Sequence, residues 1–462
     1  MTEYREEEDT LGTVKIPAEA LWGPQTERSR NNFKAGSKMP IEIIRALIQI
    51  KLAAAKANEE LGQMPKEKTD LIVKAANQLL DLSDEDLRKD FPLVVFQTGS
   101  GTQTNMNVNE VLAHLATSLS NGEITILAND DVNHGQSSND IFPTAMNVTA
   151  SVAVNELKKS LTHMIDELKK KQAEFWKVVK IGRTHLQDAT PLTFGQEVSG
   201  WVSMLEHDLE FIDSLEPTLY KLAMGGTAVG TGLNAAPHFS EKIIDIVSKA
   251  YDLPFSDKEN KFYGLAAHSG LNVVHGAFKS LASDLMKIAN DIRFLASGPR
   301  AGYNELNIPA NEPGSSIMPG KVNPTQAEAI TMAAARVLGN DVTVSIAASQ
   351  GNFEMNVYKP VIILAFLESA NLLTETMLGF TDRLITGLTV NKVRMEELVN
   401  NSLMTVTALS PHIGYHESAK IAQFAEKNGL TLKEAALQSG LVNEEQFDQW
   451  VDPLAMTNID RK

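Results

Sequence analysis

Residues Gly314-Ser315-Ser316-Ile317-Met318-Pro319-Gly320-Lys321-Val322-Asn323-Pro324 put two hydroxyls, an ammonium and a carboxamide on one short segment punctuated by glycine and proline. Such groups can hold an anion, and glycine lets the backbone approach and close on it. The segment is not a nucleotide loop. Five residues separate Gly314 from Gly320, one more than the P-loop spacing, and Val322 stands where that loop needs a magnesium-binding hydroxyl. A plain turn between helices is the competing reading.

Three further segments are rich in hydrogen-bonding residues. Gly182–Pro191 contains Thr184 and His185. Histidine suits proton transfer near neutral pH, although a lone histidine is as a rule structural. Thr98–Asn107 contains Ser100 and Thr102, ahead of a helical run expected from about Asn107. Small hydroxyl residues there either take an anion at a helix N-terminus or simply cap it. Asn129–Asp140, with Ser137, Ser138 and Asn139, is made of residues that are also common turn formers.

Two other patterns are set aside. His412 and His416 are four apart and would share a face of one helix, but Ile413 replaces the glutamate of the zinc-protease pattern, which favours a structural role. Gly225–Gly232 is read as following a helix and not a strand, which disfavours a dinucleotide loop. No metal constellation and no cofactor site is found.

Long helices must position these segments. Ile41–Leu61 is rich in Ile, Leu and Ala. Val154, Leu157, Leu161, Met164, Ile165 and Leu168 recur at helical spacing, as do Val198, Trp201, Val202, Leu205, Leu209 and Ile212. Val274, Phe278, Leu281, Leu285, Ile288, Ile292 and Leu295 form a strict heptad seam. Further apolar helices are expected at about Gln326–Ala348 and Pro360–Gly379, some apolar on more than one face. Several such helices argue for a bundle, closed either within one subunit or between subunits. The first forty residues suggest short extended pieces, and the chain past about Val390 suggests short helices. The intervening segments Gln97–Asn109, Ala128–Asp140, Gly182–Thr193, Met224–Asn234 and Gly298–Pro324 read as loops.

Composition bounds the function. The 42 Lys+Arg against 58 Asp+Glu give a net charge of −16, which argues against a nucleic-acid or anionic-membrane partner. An anionic substrate would then need a local concentration of positive charge. The absence of cysteine removes disulfides, thiol nucleophiles and thiolate-held metals. The acidic start of the chain resembles no signal peptide, and the longest aliphatic run, about Val361–Leu367, is short for a bilayer. A soluble, cytoplasmic protein is expected.

Together the four polar segments resemble the fumarase/aspartase superfamily, whose signature is Gly-Ser-Ser-x-Met-Pro-x-Lys-x-Asn-Pro. Gly314 to Pro324 fit it throughout, and the resemblance runs from Trp22–Phe33 to Ala408–Tyr415. Gly320 before Lys321, then Thr325-Gln326 and Glu328-Ala329, are similar to the class II fumarase family. Aspartases more often carry alanine before that lysine, and an aspartate ammonia-lyase is the alternative. A non-catalytic scaffold is disfavoured by the joint presence of Ser315, Lys321, His185 and Glu328.

The resemblance implies a mainly α, three-domain fumarase/aspartase-like subunit. Its parts are an N-terminal mixed, mostly helical domain (1–138), a central helical-bundle domain (139–392) and a small C-terminal helical domain (393–462). It implies a homotetramer whose core is the central long-helix bundle, with active sites shared by three subunits. The implied substrate is a small dicarboxylate, and no cofactor or metal is implied. The implied reaction is reversible anti addition of water to fumarate, giving L-malate through an aci-carboxylate, within tricarboxylic acid metabolism. Ser315 would take the carbon-bound proton, with Lys321 and backbone N–H groups stabilising its alkoxide. His185 would handle the other proton, partnered by Glu328. Thr184, Lys321, Asn323, Ser100, Thr102, Ser137, Ser138 and Asn139 would bind substrate carboxylates. Members of the family also have a secondary dicarboxylate site, to which Asn129 and Asp130 would correspond. Leu127 replaces a histidine common there, so that site is expected to be lacking and catalysis to survive without it.

Overall fold

The computed structural model describes residues 3–460, which are mainly helical with small two-stranded sheets. Strands β1 (Tyr4–Asp9) and β2 (Gly12–Pro17) pair antiparallel, realising the extended pieces expected at the start of the chain. The long helices are α1 (Ile41–Glu60), α2 (Thr102–Leu119) and α3 (Ser138–Glu174), followed by α4 (Phe194–Leu215), α5 (Ser269–Leu295), α6 (Thr325–Ser349) and α7 (Lys359–Phe380). Between α3 and α4 lies an antiparallel pair, β3 (Val179–Thr184) and β4 (Gln187–Thr193). Short helices follow from Lys392 onward.

The heptad seam of α5 is buried from Val274 to Leu295, and the periodic residues of α3 from Val154 to Leu168 are buried as well. An apolar stripe at this spacing can only be removed from water by neighbours along its whole length.

Three expectations are corrected. Gly182–Thr193 is a hairpin and not a loop. Its turn residues His185 and Leu186 both have positive φ, 58° and 60°, the conformation of a two-residue primed turn that matches strand twist. Helix α2 starts at Thr102 and not at about Asn107, because Gly101 takes up φ 78° at its N-cap. The asparagines that look loop-forming, Asn105 and Asn107, spend their side chains on tertiary partners and leave the helical backbone alone. The glycine run at 225–232 follows a two-residue strand, Lys221–Leu222, paired parallel with Ser256–Asp257.

The chain divides into two compact units. The first comprises the chain up to Lys158, with Glu210–Ser280 and Ala335–Leu372. Its α1 packs on helices Lys66–Leu80 and Phe239–Tyr251 through buried Ile, Leu and Ala side chains. Also in it, buried His275 joins three helices, meeting Asp341 Oδ1 at 3.0 Å and Ser369 Oγ at 2.9 Å. Phe278 packs on Phe366 with ring centroids 5.1 Å apart.

The second unit comprises Lys159–Leu209, Leu281–Ala334 and the chain from Leu373. Phe194 lies between Phe175 and Trp201 at centroid distances of 5.4 and 5.8 Å. Its C-terminal helices close on their own core of Leu409, Ile421, Ala425, Leu432, Val442 and Phe447. There His412 stacks flat on Trp450 at 4.0 Å, a packing role of the kind expected for it.

One described helix, Lys359–Ile385, is long and apolar enough to cross a membrane by length and composition. Within the protein its residues Ile362, Ile363, Phe366, Ala370 and Leu373 are buried, and it begins on a buried lysine.

Candidate active site

The second unit carries the signature segment. Ser315 Oγ accepts hydrogen bonds from the backbone N–H groups of Ile317 (3.3 Å) and Met318 (3.1 Å). Two amide dipoles aimed at a hydroxyl oxygen favour negative charge on it. The segment is folded back on itself: the Asn323 side-chain amide donates to the Gly314 carbonyl, and Lys321 N–H donates to Met318 O. Gly314 is obligatory, since a Cβ there would overlap the Lys321 carbonyl. Gly320 sits at φ 79° with open space around it, so conformation and not crowding calls for glycine. Lys321, Asn323 and Glu328 line a cavity of about 690 Å³ together with Asn290 and Arg293. Neither Ser315 nor His185 is among its lining residues.

His185 occupies the exposed tip of the β3–β4 hairpin beside Thr184. The base of that hairpin is pinned electrostatically. Buried Lys180 reaches Glu197 at 2.7 Å and fully buried Glu305 at 3.4 Å. Arg183 pairs with the same Glu305 and lies 4.5 Å above the Tyr303 ring. Such a scaffold holds a turn rigidly while leaving its tip free. Among the described residues, no hydrogen bond or ion pair joins His185 to Glu328, and neither side chain has an intrachain partner.

The first unit carries the remaining candidates, and here the side chains are networked. Ser100 Oγ and Thr102 Oγ1 are 2.7 Å apart at the start of α2. Asn105, one turn along, donates to Ser138 Oγ at 3.0 Å, which brings the N-terminal turns of α2 and α3 together. Two helix N-termini meeting in this way concentrate free N–H groups and positive dipole. Asn139 donates to Ala228 O at 2.8 Å, and its N–H donates to Ser137 Oγ at 3.2 Å.

The residues that hold this arrangement escaped the sequence reading. Fully buried Asp140 accepts N–H bonds from Ser137 (2.9 Å), Gly225 (3.0 Å) and Thr227 (3.0 Å). Burial raises its pKa, against those bonds and the nearby Lys51. Lys51, also fully buried, donates to Asn133 Oδ1 and Gln136 Oε1, both at 2.8 Å, and burial lowers its pKa to about 7. A lone lysine inside the otherwise apolar run Ile50–Ala55 was the available signal.

Asn129 and Asp130 are exposed on the short π-helix Ala128–Val132, beside exposed Leu127. Asn129 lines a cavity of about 700 Å³ that also holds Glu7, Glu8, Asp9 and Glu110 against Arg28 and His114. Carboxylates outnumber cations there, which is unfavourable for a second dianion. No group of three or more His, Asp or Glu side chains placed to hold a metal ion occurs among the described residues.

Comparison with known proteins bears on the whole chain. Residues 12–339 match a family model described as lyase, and residues 406–458 match one described as fumarase C C-terminus. A class II fumarate hydratase of Listeria monocytogenes serotype 4b is 56% identical over 457 residues, 98% of this chain and 100% of the relative. One from Bacillus subtilis is 54% identical over 456 residues, 98% of each chain. The crystal structure of class II fumarase from Schistosoma mansoni superposes with a TM-score of 0.95 at 44% identity, covering 99% of this chain and 100% of that one. With identity above half along almost its entire length and a shared fold, the chain belongs to the class II fumarate hydratase family of lyases.

Proposed function

We propose that this chain catalyses the reversible anti addition of water to fumarate, giving L-malate, as a cytoplasmic step of tricarboxylic acid metabolism. One observation carries the reading: the Ser315 oxygen receives two backbone N–H groups in a loop that also presents Lys321 and Asn323. A serine can act as a base only where its alkoxide is stabilised, and amide dipoles with a nearby ammonium do that.

In the dehydration direction Ser315 takes the proton from the carbon next to a carboxylate. The electron pair left behind spreads into that carboxylate, and Lys321 and Asn323 stabilise the resulting aci-carboxylate. The pair then returns to form the double bond as the C–O bond breaks, and the hydroxyl leaves as water with a proton from His185. Glu328 orients His185 and favours its charged form. Thr184, Ser100, Thr102, Ser137, Ser138 and Asn139 hold the carboxylates.

We propose a homotetramer with sites shared by three subunits, each subunit having domains 1–138, 139–392 and 393–462. The unpartnered His185 and Glu328 support sharing, because each then finds its partner on another copy. Exposed Met332, Val342 and Ile346 along α6 support burial of that helix between copies.

Fumarate absorbance, followed with L-malate or L-aspartate as sole substrate and chelator present, tests the reading. Fumarate should form from L-malate alone. Formation from L-aspartate alone would reassign the chain to the ammonia-lyases. A species that is monomeric by light scattering yet fully active would refute the shared site.

A further inference from the structure

The carboxylate-binding candidates of the first unit, Ser100, Thr102, Ser137, Ser138 and Asn139, are all neutral. Neutral donors alone hold a dianion poorly, and the chain as a whole carries −16. Beyond the Lys321 of the proposed mechanism, the unit itself can bring positive charge to these loops. Lys359, the first residue of α7, is fully buried, and its Nζ has no hydrogen-bond partner among the described residues. Its backbone N–H donates to Gly99 O at 3.2 Å, which seats it against the residue preceding Ser100. The backbones are so close here that a Cβ on Gly99 would overlap the Val357 carbonyl. Its ammonium feels Asp140, the residue that fixes Ser137. Burial lowers the Lys359 pKa to about 8 and that of Lys51 to about 7, and the one carboxylate of Asp140 opposes the shift in both. The neighbouring His268, buried and neutral, adds no anion.

We propose that Lys359 is a positioning residue for the dicarboxylate: its buried, incompletely neutralised ammonium sets the positive potential that draws a substrate carboxylate onto the Ser100–Thr102 and Ser137–Asn139 donors. A buried ammonium without a hydrogen-bond partner costs the fold stability, so its presence needs a functional reason. It resembles strain kept at a site because the site uses it. The inference rests on the proposed function, since it presupposes that these loops bind a carboxylate.

The test uses the full-length protein and the variants Lys359→Met and Lys359→Arg, with succinate as a non-reacting probe. Three quantities are read: the succinate Kd by calorimetry, KM and kcat for L-malate, and the thermal midpoint. In Lys359→Met, Kd and KM should rise about tenfold, the scale of one lost cation at partly screened range. Its kcat should change far less, and its thermal midpoint should hold or rise as the costly charge goes. Lys359→Arg, where it folds, should keep most of the affinity. A lower midpoint in Lys359→Met with loss of kcat and KM in step would show a merely structural lysine and overturn the proposal, as would unchanged succinate affinity. Wild-type protein that neither turns over L-malate nor binds succinate would instead overturn the functional reading beneath it.

Discussion

Ser100 and Ser138 in the first unit are fastened before any substrate arrives, one to Thr102 and the other to Asn105. Behind them Asp140 and Lys51 hold five further protein groups. His185 and Glu328 in the second unit are exposed, and their side chains have no partner among the described residues. The first arrangement suits binding, where rigid donors avoid an ordering cost at the moment of association. The second suits proton transfer in a site completed only on assembly, where an acid–base pair gains its tuning as the pair forms. Ser315 lies between these extremes. Its oxygen is already aimed at by two amides, yet the loop around it is exposed.

The contrast breaks most visibly at Ser315. Replacing it with alanine removes the proposed base and leaves the first unit untouched. We expect kcat to fall about 10²–10⁴-fold, the usual worth of general acid–base catalysis, with succinate affinity unchanged. Steady-state rates and calorimetry on one preparation check both halves. Substantial residual activity would remove Ser315 from the proton path. Affinity falling together with rate would show that binding and chemistry are not separated as the two units suggest.

The parts legible in sequence were those whose meaning is local. The α5 seam could be read because heptad spacing needs no partner to be recognised, and Gly314–Pro324 because a glycine- and proline-set loop keeps its residues adjacent. The hairpin around His185 could not. Its strands mix Val179, Ile181 and Leu192 with Lys180, Gly182, Arg183, Gln187, Asp188 and Pro191, so no clean alternation shows, and Glu305, far along the chain, pairs with both Lys180 and Arg183. Thr102–Asn107 misled for the same reason, since the side-chain amides of Asn105 and Asn107 donate across the fold and not to their own backbone. Asp140 and Lys359 carried no local signal at all: one follows a turn, the other begins an apolar helix, and only tertiary placement puts them at the same loops.

Asp140 offers a sharper and smaller test of the fastened region. Asparagine there keeps the shape but supplies one acceptor oxygen and an amide that faces N–H groups, so either the Ser137 bond at Oδ1 or both the Gly225 and Thr227 bonds at Oδ2 turn repulsive. It also removes the carboxylate beside Lys51. We expect Asp140→Asn to cost about 2–4 kcal/mol in stability. KM should rise several-fold as Ser137–Asn139 loosens. Denaturant unfolding beside steady-state kinetics checks this. Unchanged KM at reduced stability would mean that the loop holds its shape without Asp140, and that the networking of the first unit serves the fold alone.

The smallest effect lies at the edge of the first unit, where the β1–β2 hairpin is tied by a titratable contact. His114 bonds Leu21 O through Nδ1 at 2.6 Å and reaches Glu7 through Nε2 at 3.3 Å, with Arg5 beside the same carboxylate. With both ring nitrogens at acceptors the charged ring is favoured. Glu7 raises the His114 pKa most, burial and Arg5 oppose, and the Leu21 carbonyl adds to the rise. A histidine raised on folding gives stability that is fully present below its unfolded value of about 6.5 and is lost as pH climbs through the higher folded value. Solvent reaches the pair, so the contribution should stay below about 1 kcal/mol. Lowering pH toward protonation of Glu7 would remove it as well, which leaves a maximum in mildly acidic solution. His114→Gln keeps a donor for Leu21 and deletes the charge. The stability difference between wild type and His114→Gln should therefore narrow as pH rises above 6.5, read from urea midpoints or from amide exchange across Tyr4–Pro17. A difference that stays constant with pH would place the fastening of this hairpin in the Arg5 bonds to the carbonyls of Pro17, Ala20 and Trp22, which do not titrate.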